Sequence, residues 1–237
     1  MQQYYAFFSG GVDSTIAILK IARRREKAKI FPLFFDYGQK ASEQEKLTVE
    51  RLVPLLREFA NEEVTIEDPT IISLAGSDLF SWSSSSILTG RPNGNSPDLP
   101  NRNMVLISVA VSWINSNRPT RRVRKRAQLV VGFKNEHYDT TRSFAVYLNK
   151  AMKSMEFGIE INTPLISNDN KIRGRALAEE VYKINGWERL MRETWSCYFP
   201  TENGNQCGLC NPCKHRRRFL EETATRVRKK LDSSFRL

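Results

Sequence analysis

Apolar residues along the chain gather into short unbroken runs separated by longer amphipathic stretches. Tyr4-Tyr5-Ala6-Phe7-Phe8, Ile30-Phe31-Pro32-Leu33-Phe34-Phe35 and Gln128-Leu129-Val130-Val131-Gly132 have the pattern of strands buried on both faces. Pro32 is tolerable near the start of its strand. Val64-Thr65-Ile66-Glu67 alternates like a third, short strand, and Ile159-Glu160-Ile161-Asn162 predicts a short edge strand. Thr15–Ala22 predicts a helix with no breaker. Ser42–Phe59 predicts another, with Leu47, Leu52, Leu55, Leu56 and Phe59 apolar and Pro54 as a kink point. Met104–Val111 predicts a strongly apolar helix capped by Asn103, and Thr141–Met155, Ala176–Ile184 and Lys214–Lys230 predict three more. Strands alternating with helices argue for an α/β fold with a doubly wound parallel sheet. Residues 76–103 carry no period and many Ser, Pro, Asn and Gly residues, and so predict a long functional or mobile loop.

The most informative turn is the first. Ser9-Gly10-Gly11-Val12-Asp13-Ser14 joins the first strand to the first helix. Glycines there let backbone N–H groups approach an anion closely, and a helix N-terminus adds partial positive charge. Ser9, Ser14 and Thr15 add hydroxyls, and Ser14 is a candidate helix cap. Asp13 would repel a bare phosphate and makes sense if it holds a metal ion shared with one. The competing reading is an ordinary strand-to-helix turn. The order resembles the SGGxDS pyrophosphate loop of the N-type ATP pyrophosphatases, which split ATP between its α and β phosphates and adenylate an acceptor. No Gly-Lys-Ser/Thr follows, so AMP transfer is expected rather than γ-phosphoryl transfer. Asp36-Tyr37-Gly38-Gln39 ends the second strand, on the same rim of a parallel sheet.

The chain has 237 residues, 37 Lys and Arg against 26 Asp and Glu, and a formal net charge of +11, which points to polyanionic partners. Arg121-Arg122-Val123-Arg124-Lys125-Arg126 is the densest run. It reads as a solvated connector or as a contact for RNA, DNA or an acidic protein. No aromatic residue interleaves it, so stacking on single strands is unsupported. Met104–Ile114 is too short to span a bilayer, and no basic-then-apolar leader opens the chain, so a cytoplasmic protein is expected.

All four cysteines fall late in the chain: Cys197, Cys207, Cys210 and Cys213. Two residues separate each neighbouring pair of the last three. Gly208 allows a tight turn and Pro212 stiffens the next, so four thiolates can converge on tetrahedral Zn²⁺. A closed four-thiolate site leaves no position for water, and its role would be structural. An iron–sulfur cluster and a redox-active pair are the other readings. His215 is set aside as a ligand, and His137 reads as a loop residue before a catalytic base.

The ordered set of Phe8–Ser14, Asp36–Gln39, Ser86-Ile87-Leu88-Thr89, Pro100-Asn101-Arg102-Asn103, Thr194-Trp195-Ser196-Cys197-Tyr198 and the three later cysteines resembles the QueC family, 7-cyano-7-deazaguanine synthase, over nearly the whole chain. The resemblance implies an adenine-nucleotide α-hydrolase, Rossmann-like domain over residues 1–190 with a zinc-bearing extension over 191–237. It also implies ATP, Mg²⁺ and Zn²⁺ as cofactors and a deazapurine as substrate. ATP would activate the carboxylate of 7-carboxy-7-deazaguanine, ammonia would form the amide, and a second activation would give the nitrile. By position, Phe8, Ser9, Gly10, Gly11, Asp13, Ser14 and Thr15 would hold phosphate, with Asp36, Tyr37 and Gln39 beside the nucleotide. Asn101, Arg102 and Asn103 would face ATP or substrate. Asp13, Arg102 and Lys171 are the implied catalytic residues, although Lys171 reads equally as a surface lysine. A homodimer is implied by the resemblance alone.

The chain departs from the family pattern after Gly132. The family's longer purine-binding segment carries an Asp-Cys-Arg run; here residues 135–142 are shorter and lack the cysteine. Asp139 would still accept from purine N–H edges and Arg142 would meet the carboxylate. QueC-like proteins also occur in bacterial antiviral operons, where the activated acid joins a protein amine. That is the first alternative function. A tRNA-thiolating relative fits less well, because no cysteine remains outside the cluster. A zinc-containing nucleic-acid-binding protein without catalysis is a further reading, favoured only by the basic runs.

Overall fold

The computed structural model describes residues 1–80, 83–89, 99–117, 127–134, 138–155, 158–166, 181 and 184–234, with the last nine as helix backbone. Its centre is a parallel sheet of six strands: β1 (Gln2–Phe7), β2 (Ala28–Asp36), β3 (Val64–Ile66), β4 (Thr70–Ser73), β5 (Ala127–Val130) and β6 (Ile159–Asn162). The order is β3-β2-β1-β5-β6, with β4 paired to β2 beyond the end of β3. Every recorded pairing is parallel, as the unbroken apolar runs predict. Residues of one strand alternate between two cores. Tyr4, Ala6, Phe8, Ile30 and Phe34 pack with α1 (Val12–Ala22), α2 (Ser42–Phe59) and residues of a later short helix. Tyr5, Leu33, Phe35, Leu129 and Ile161 pack on the other side with helices that precede and follow β5. The sheet is therefore the middle of three layers.

The remaining helices are α3 (Ser86–Thr89), α4 (Arg102–Asn117), α5 (Arg142–Ser154), α6 (Trp187–Arg192) and α7 (Asn211–Ser234). Thr141 caps α5 by accepting from the Phe144 amide at 3.1 Å. Helix α6 belongs with the first core through Trp187, Leu190 and Met191, whereas α4 and α5 cover the second. β1 sends its crossover through α1 to β2 on one side, and β5 lies on its other side. The chain thus changes direction at β1. The carboxyl ends of β1 and β5 flank a topological switch point, where open parallel sheets bind ligands.

Pro32 lies inside β2, opposite Ala6 of β1, rather than near a strand start. Leu33 turns its carbonyl to β1, accepting from Phe8 N at 2.8 Å, so Pro32 turns its nitrogen to the opposite edge. There β3 has ended at the Ile30 register and β4 begins at Leu33. A residue without an N–H leaves no ladder bond broken at that gap.

Several local expectations are corrected. Helix α1 begins at Val12 with Gly11 as its cap residue, so Ser14 lies inside the first turn and caps nothing; its hydroxyl donates back to the Gly11 carbonyl at 3.1 Å. Asn103 is likewise inside α4, which starts at Arg102. Leu47 is 44% exposed, because the buried stripe of α2 runs through Thr48, Val49, Leu52, Val53, Leu55 and Leu56. β4, α3 and α6 are too short to show a periodic pattern, and α3 interrupts the long loop over 76–103. Most of the helix expected over 176–184 and the whole run Arg121–Arg126 lie outside the described residues, as do His137 and Lys171. Among the described residues, no helix is long and apolar enough to cross a membrane.

Leu52, with no exposure, and Leu47 sit on the same helix and carry the same side chain. Leu52→Ala is expected to cost about 2–5 kcal/mol in urea unfolding, and Leu47→Ala within about 0.5 kcal/mol.

Candidate functional site

The loop after β1 gathers glycine backbone and serine hydroxyls at the start of α1. No side chain caps α1, so its first-turn N–H groups have no such partner. Ser9 and Ser14 place their hydroxyls 3.3 Å apart at its mouth. Gly10 has φ of +73°, and a Cβ there would meet Thr48 Cγ2 at 2.7 Å, so only glycine fits between the loop and α2. On the β5 side, a Cβ at Gly132 would lie 3.2 Å from the backbone of Asp13 and Ser14. Two residues further on, Lys134 Nζ lies 3.0 Å from Asp13 Oδ2. The switch point is thus walled by glycine backbone, with one carboxylate and one ammonium at its entrance.

Thr15 and Phe8 do not face this space. Thr15 is fully buried and donates its hydroxyl to the Gly11 carbonyl at 2.8 Å, while the Phe8 ring is in the first core. Both shape the loop from behind.

A second group of side chains gathers around Arg102. Asn101, just before it, has φ of +59°, a left-handed conformation that asparagine tolerates better than most residues. Its carbonyl receives the Val105 amide at 3.0 Å, and α4 starts with Arg102 turned toward β2. Arg102 Nη1 stands 3.5 Å from the Tyr37 hydroxyl. Tyr37 holds the guanidinium above its usual range against opposing burial, and Tyr198 and Asp139 act in the same sense. Burial pushes the Tyr37 phenol up to about 12, with Arg102 opposing. Burial also raises Tyr198.

Gln39 clamps the turn after β2. Its amide nitrogen donates to the Phe35 carbonyl at 3.0 Å and to Glu45 Oε2 at 2.9 Å, while its oxygen accepts from Tyr37 N at 2.9 Å. Asp36 Oδ1 accepts from Gly38 N at 3.1 Å. Glu45 keeps some accessible surface yet is enclosed by protein on nearly all sides. Burial pushes its carboxyl up to about 7, opposed by the Gln39 hydrogen bond and the Arg102 charge and reinforced by Asp36.

The four cysteine sulfurs all lie within 4.8 Å of one another, and Cys207 Sγ and Cys213 Sγ are 4.0 Å apart. Tetrahedral Zn²⁺ with bonds near 2.3 Å needs sulfurs about 3.8 Å apart, so the donor set can hold such an ion. Backbone amides support the sulfurs: Phe199 N and Cys207 N donate to Cys197 Sγ at 3.3 and 3.2 Å, and Cys210 N donates to Cys207 Sγ at 3.4 Å. Gly208 has φ of +72°, and Arg217 donates to its carbonyl at 2.7 Å. Cys213 lies in the first turn of α7 beside Pro212, and His215 is exposed on the same helix. The cluster reaches the first loop through two residues. Trp195 Nε1 donates to the Cys197 carbonyl, and Trp195 N donates to the Gly10 carbonyl, both at 2.8 Å.

Residues 4–224 match the family model described as "Queuosine biosynthesis protein QueC". The chain belongs to the QueC family. Similar relatives include 7-cyano-7-deazaguanine synthase 1 of Desulfitobacterium hafniense, 27% identical over 90% of this chain and 89% of the relative. The 7-cyano-7-deazaguanine synthase of Methanosphaera stadtmanae is 28% identical over 89% of each chain. That of Pyrococcus horikoshii is 27% identical over 94% of each.

Of the residues that the QueC resemblance nominated, the structure brings Tyr37, Arg102 and Asp139 together and sets Ser9, Gly10, Gly11, Asp13 and Ser14 in one loop. Gln39 is 4% exposed and serves as the clamp. Asn101 turns the backbone, Asn103 is half-buried in the helix, and Arg142 is exposed at the first residue of α5. Lys134, Glu45 and Tyr198 are the additions. Once β1 and β5 are neighbours, a lysine two residues past a strand-end glycine falls opposite the loop; the pairing itself was the missing signal. Glu45 reaches its partner across a turn, six residues from Gln39, with no periodic signature.

Glu45 binds its proton more tightly in the folded state, near pH 7 instead of its ordinary 4.5. Its contribution to stability is therefore complete at low pH and is lost as pH rises through about 7. Urea unfolding at about pH 5 and about pH 8 is expected to show wild-type losing stability relative to Glu45→Gln as pH rises, since the amide carries no charge at either value.

Proposed function

We propose that this QueC-family protein adenylates the carboxylate of 7-carboxy-7-deazaguanine with ATP, transfers the acyl group to ammonia, and dehydrates the amide to 7-cyano-7-deazaguanine. The observation that carries this reading is the uncapped glycine loop at the switch point, facing the rim where Arg102 is held charged. The names of the curated relatives support the substrate. A carboxylate is a poor electrophile; AMP supplies a leaving group that hydroxide does not match.

In this reading backbone N–H groups at the start of α1, with the hydroxyls of Ser9 and Ser14, bind the β and γ phosphates, and they stabilise pyrophosphate as it departs. Mg²⁺ held by Asp13 would supply charge neutralisation for that leaving group. Lys134, ion-paired to Asp13 in this structure, is within reach of the same phosphates. Arg102 offers a planar fork to the substrate carboxylate or the α-phosphate. Asp139, beside Arg102, accepts from the purine N–H edge, and Arg142 sits at the same end of the segment. Zn²⁺ at the four cysteines is structural and defines an extension over 191–237 on a nucleotide-binding domain over 1–190. The short segment 135–142 also favours a second reading, in which the acyl group passes to a protein amine.

Two measurements test this. ATP–pyrophosphate exchange is expected in the presence of 7-carboxy-7-deazaguanine, with AMP and nitrile forming when ammonium is added. Asp13→Ala should lower exchange by roughly 10²-fold. Amide or a protein conjugate without nitrile would favour the second reading, and no exchange would overturn both. Separately, the purified protein should carry one zinc, and Cys210→Ser should lose it together with at least about 2 kcal/mol of stability; full zinc retention would refute the four-thiolate assignment.

A further inference from the structure

Among the described residues Glu45 is an acid beside Arg102 whose carboxylate is held by the Gln39 clamp. Gln39 grips Oε2 at 2.9 Å, and the same amide grips Phe35 and Tyr37, so the carboxylate is locked to the rim of β2. Of the other acids nearby, Asp13 is ion-paired to Lys134, Asp36 Oδ1 accepts from Gly38 N, and Asp139 is the one assigned to the purine edge. The charged and titratable groups that act on it come from both flanking elements: Asp36 at the end of β2 and Arg102 at the start of α4, while Tyr37 and Tyr198 each carry its charge in their own balance. A carboxylate in such a place is not needed for phosphate, which it would repel. It is suited to a cation that must lose a proton.

We infer that Glu45 is the base that deprotonates the incoming nitrogen nucleophile of the acyl transfer. The inference rests on the adenylation reading and adds the fate of the proton. Glu45 takes one proton from ammonium, and the freed lone pair forms the C–N bond to the acyl carbon. The C–O bond to AMP then breaks, AMP leaves with that electron pair, and the second nitrogen proton passes to water. The products are amide, AMP and two protons. A carboxyl raised to about 7 is ionised near neutrality and is a stronger base than an ordinary carboxylate, and attack on the acyl carbon draws the uphill proton transfer forward. The Gln39 clamp keeps Oε2 occupied and directs the exchange to Oε1. An amine of a protein acceptor is served in the same way, since it also arrives protonated.

The test compares wild-type with Glu45→Gln over pH about 5 to about 9, following amide formation from 7-carboxy-7-deazaguanine, ATP and ammonium. Glu45→Gln should slow amide formation by about 10²–10⁴-fold and lose the wild-type rise near pH 7. Hydroxylamine, which is unprotonated at neutral pH, should restore most of the rate to the variant, whereas a merely structural defect would slow both nucleophiles alike. Equal slowing with the two nucleophiles, or an unchanged pH profile, overturns the role of Glu45. Pyrophosphate exchange by wild-type is the separate control. Its absence overturns the adenylation reading and this inference with it; its presence with an unaffected variant overturns the inference alone.

Discussion

A single backbone hydrogen bond, from the Trp195 amide to the Gly10 carbonyl, joins the two chemically distinctive parts of this molecule. Inside the loop after β1, Ser14 and Thr15 donate to the Gly11 carbonyl, and much of the remaining support comes from its neighbours. Its glycines forgo side-chain packing, and no side chain caps its helix. Loop shape is therefore set from outside: by Thr48 of α2 against Gly10, by Gly132 after β5, and by Trp195 above. Trp195 is itself held by the Cys197 carbonyl. Order at the cysteine cluster is thus transmitted to the backbone of the first loop through two residues. Arg216 of α7 extends the same frame, donating to the Thr194 hydroxyl and to the Met191 and Arg192 carbonyls.

Around Arg102 the governing effect is the expense of placing charge out of water. Tyr37, Glu45 and Tyr198 are all raised by burial first, so each resists ionising unless the guanidinium compensates. Arg102 is the one cation that appears in all three balances. Its removal would leave acids and phenols with no compensating charge, so the group behaves as one electrostatic unit assembled from β2, α2, α4 and the segment before the cysteine loop.

The layered α/β architecture was legible because unbroken apolar runs and amphipathic helices differ in period, and both are long here. The first loop and the cysteine spacing were legible because each is local: a few adjacent residues make the geometry. What was hidden is what depends on strands meeting. Lys134 is unremarkable in the sequence and becomes a partner of Asp13 only because β5 lies beside β1. Glu45 stands in the first turn of α2 with nothing local to mark it, and its surroundings come from Gln39, Arg102 and Tyr198 arriving from elsewhere. Ser14 and Asn103 misled as caps for a common reason. Each helix begins earlier than the run read as helical: α1 at Val12, straight after Gly11, and α4 at Arg102, straight after the left-handed Asn101.

The gap at Pro32 also bears on how copies of this chain meet one another. On that side β2 is bordered by two separate strands, three and four residues long, in place of one continuous strand. On the far side β6 has four residues. Among the described residues neither border offers a long ladder of backbone groups on which another chain could dock in register, which is how natural sheets discourage edge-to-edge growth into aggregates. Pro32 thus sits where the border is broken into pieces too short to template a neighbour.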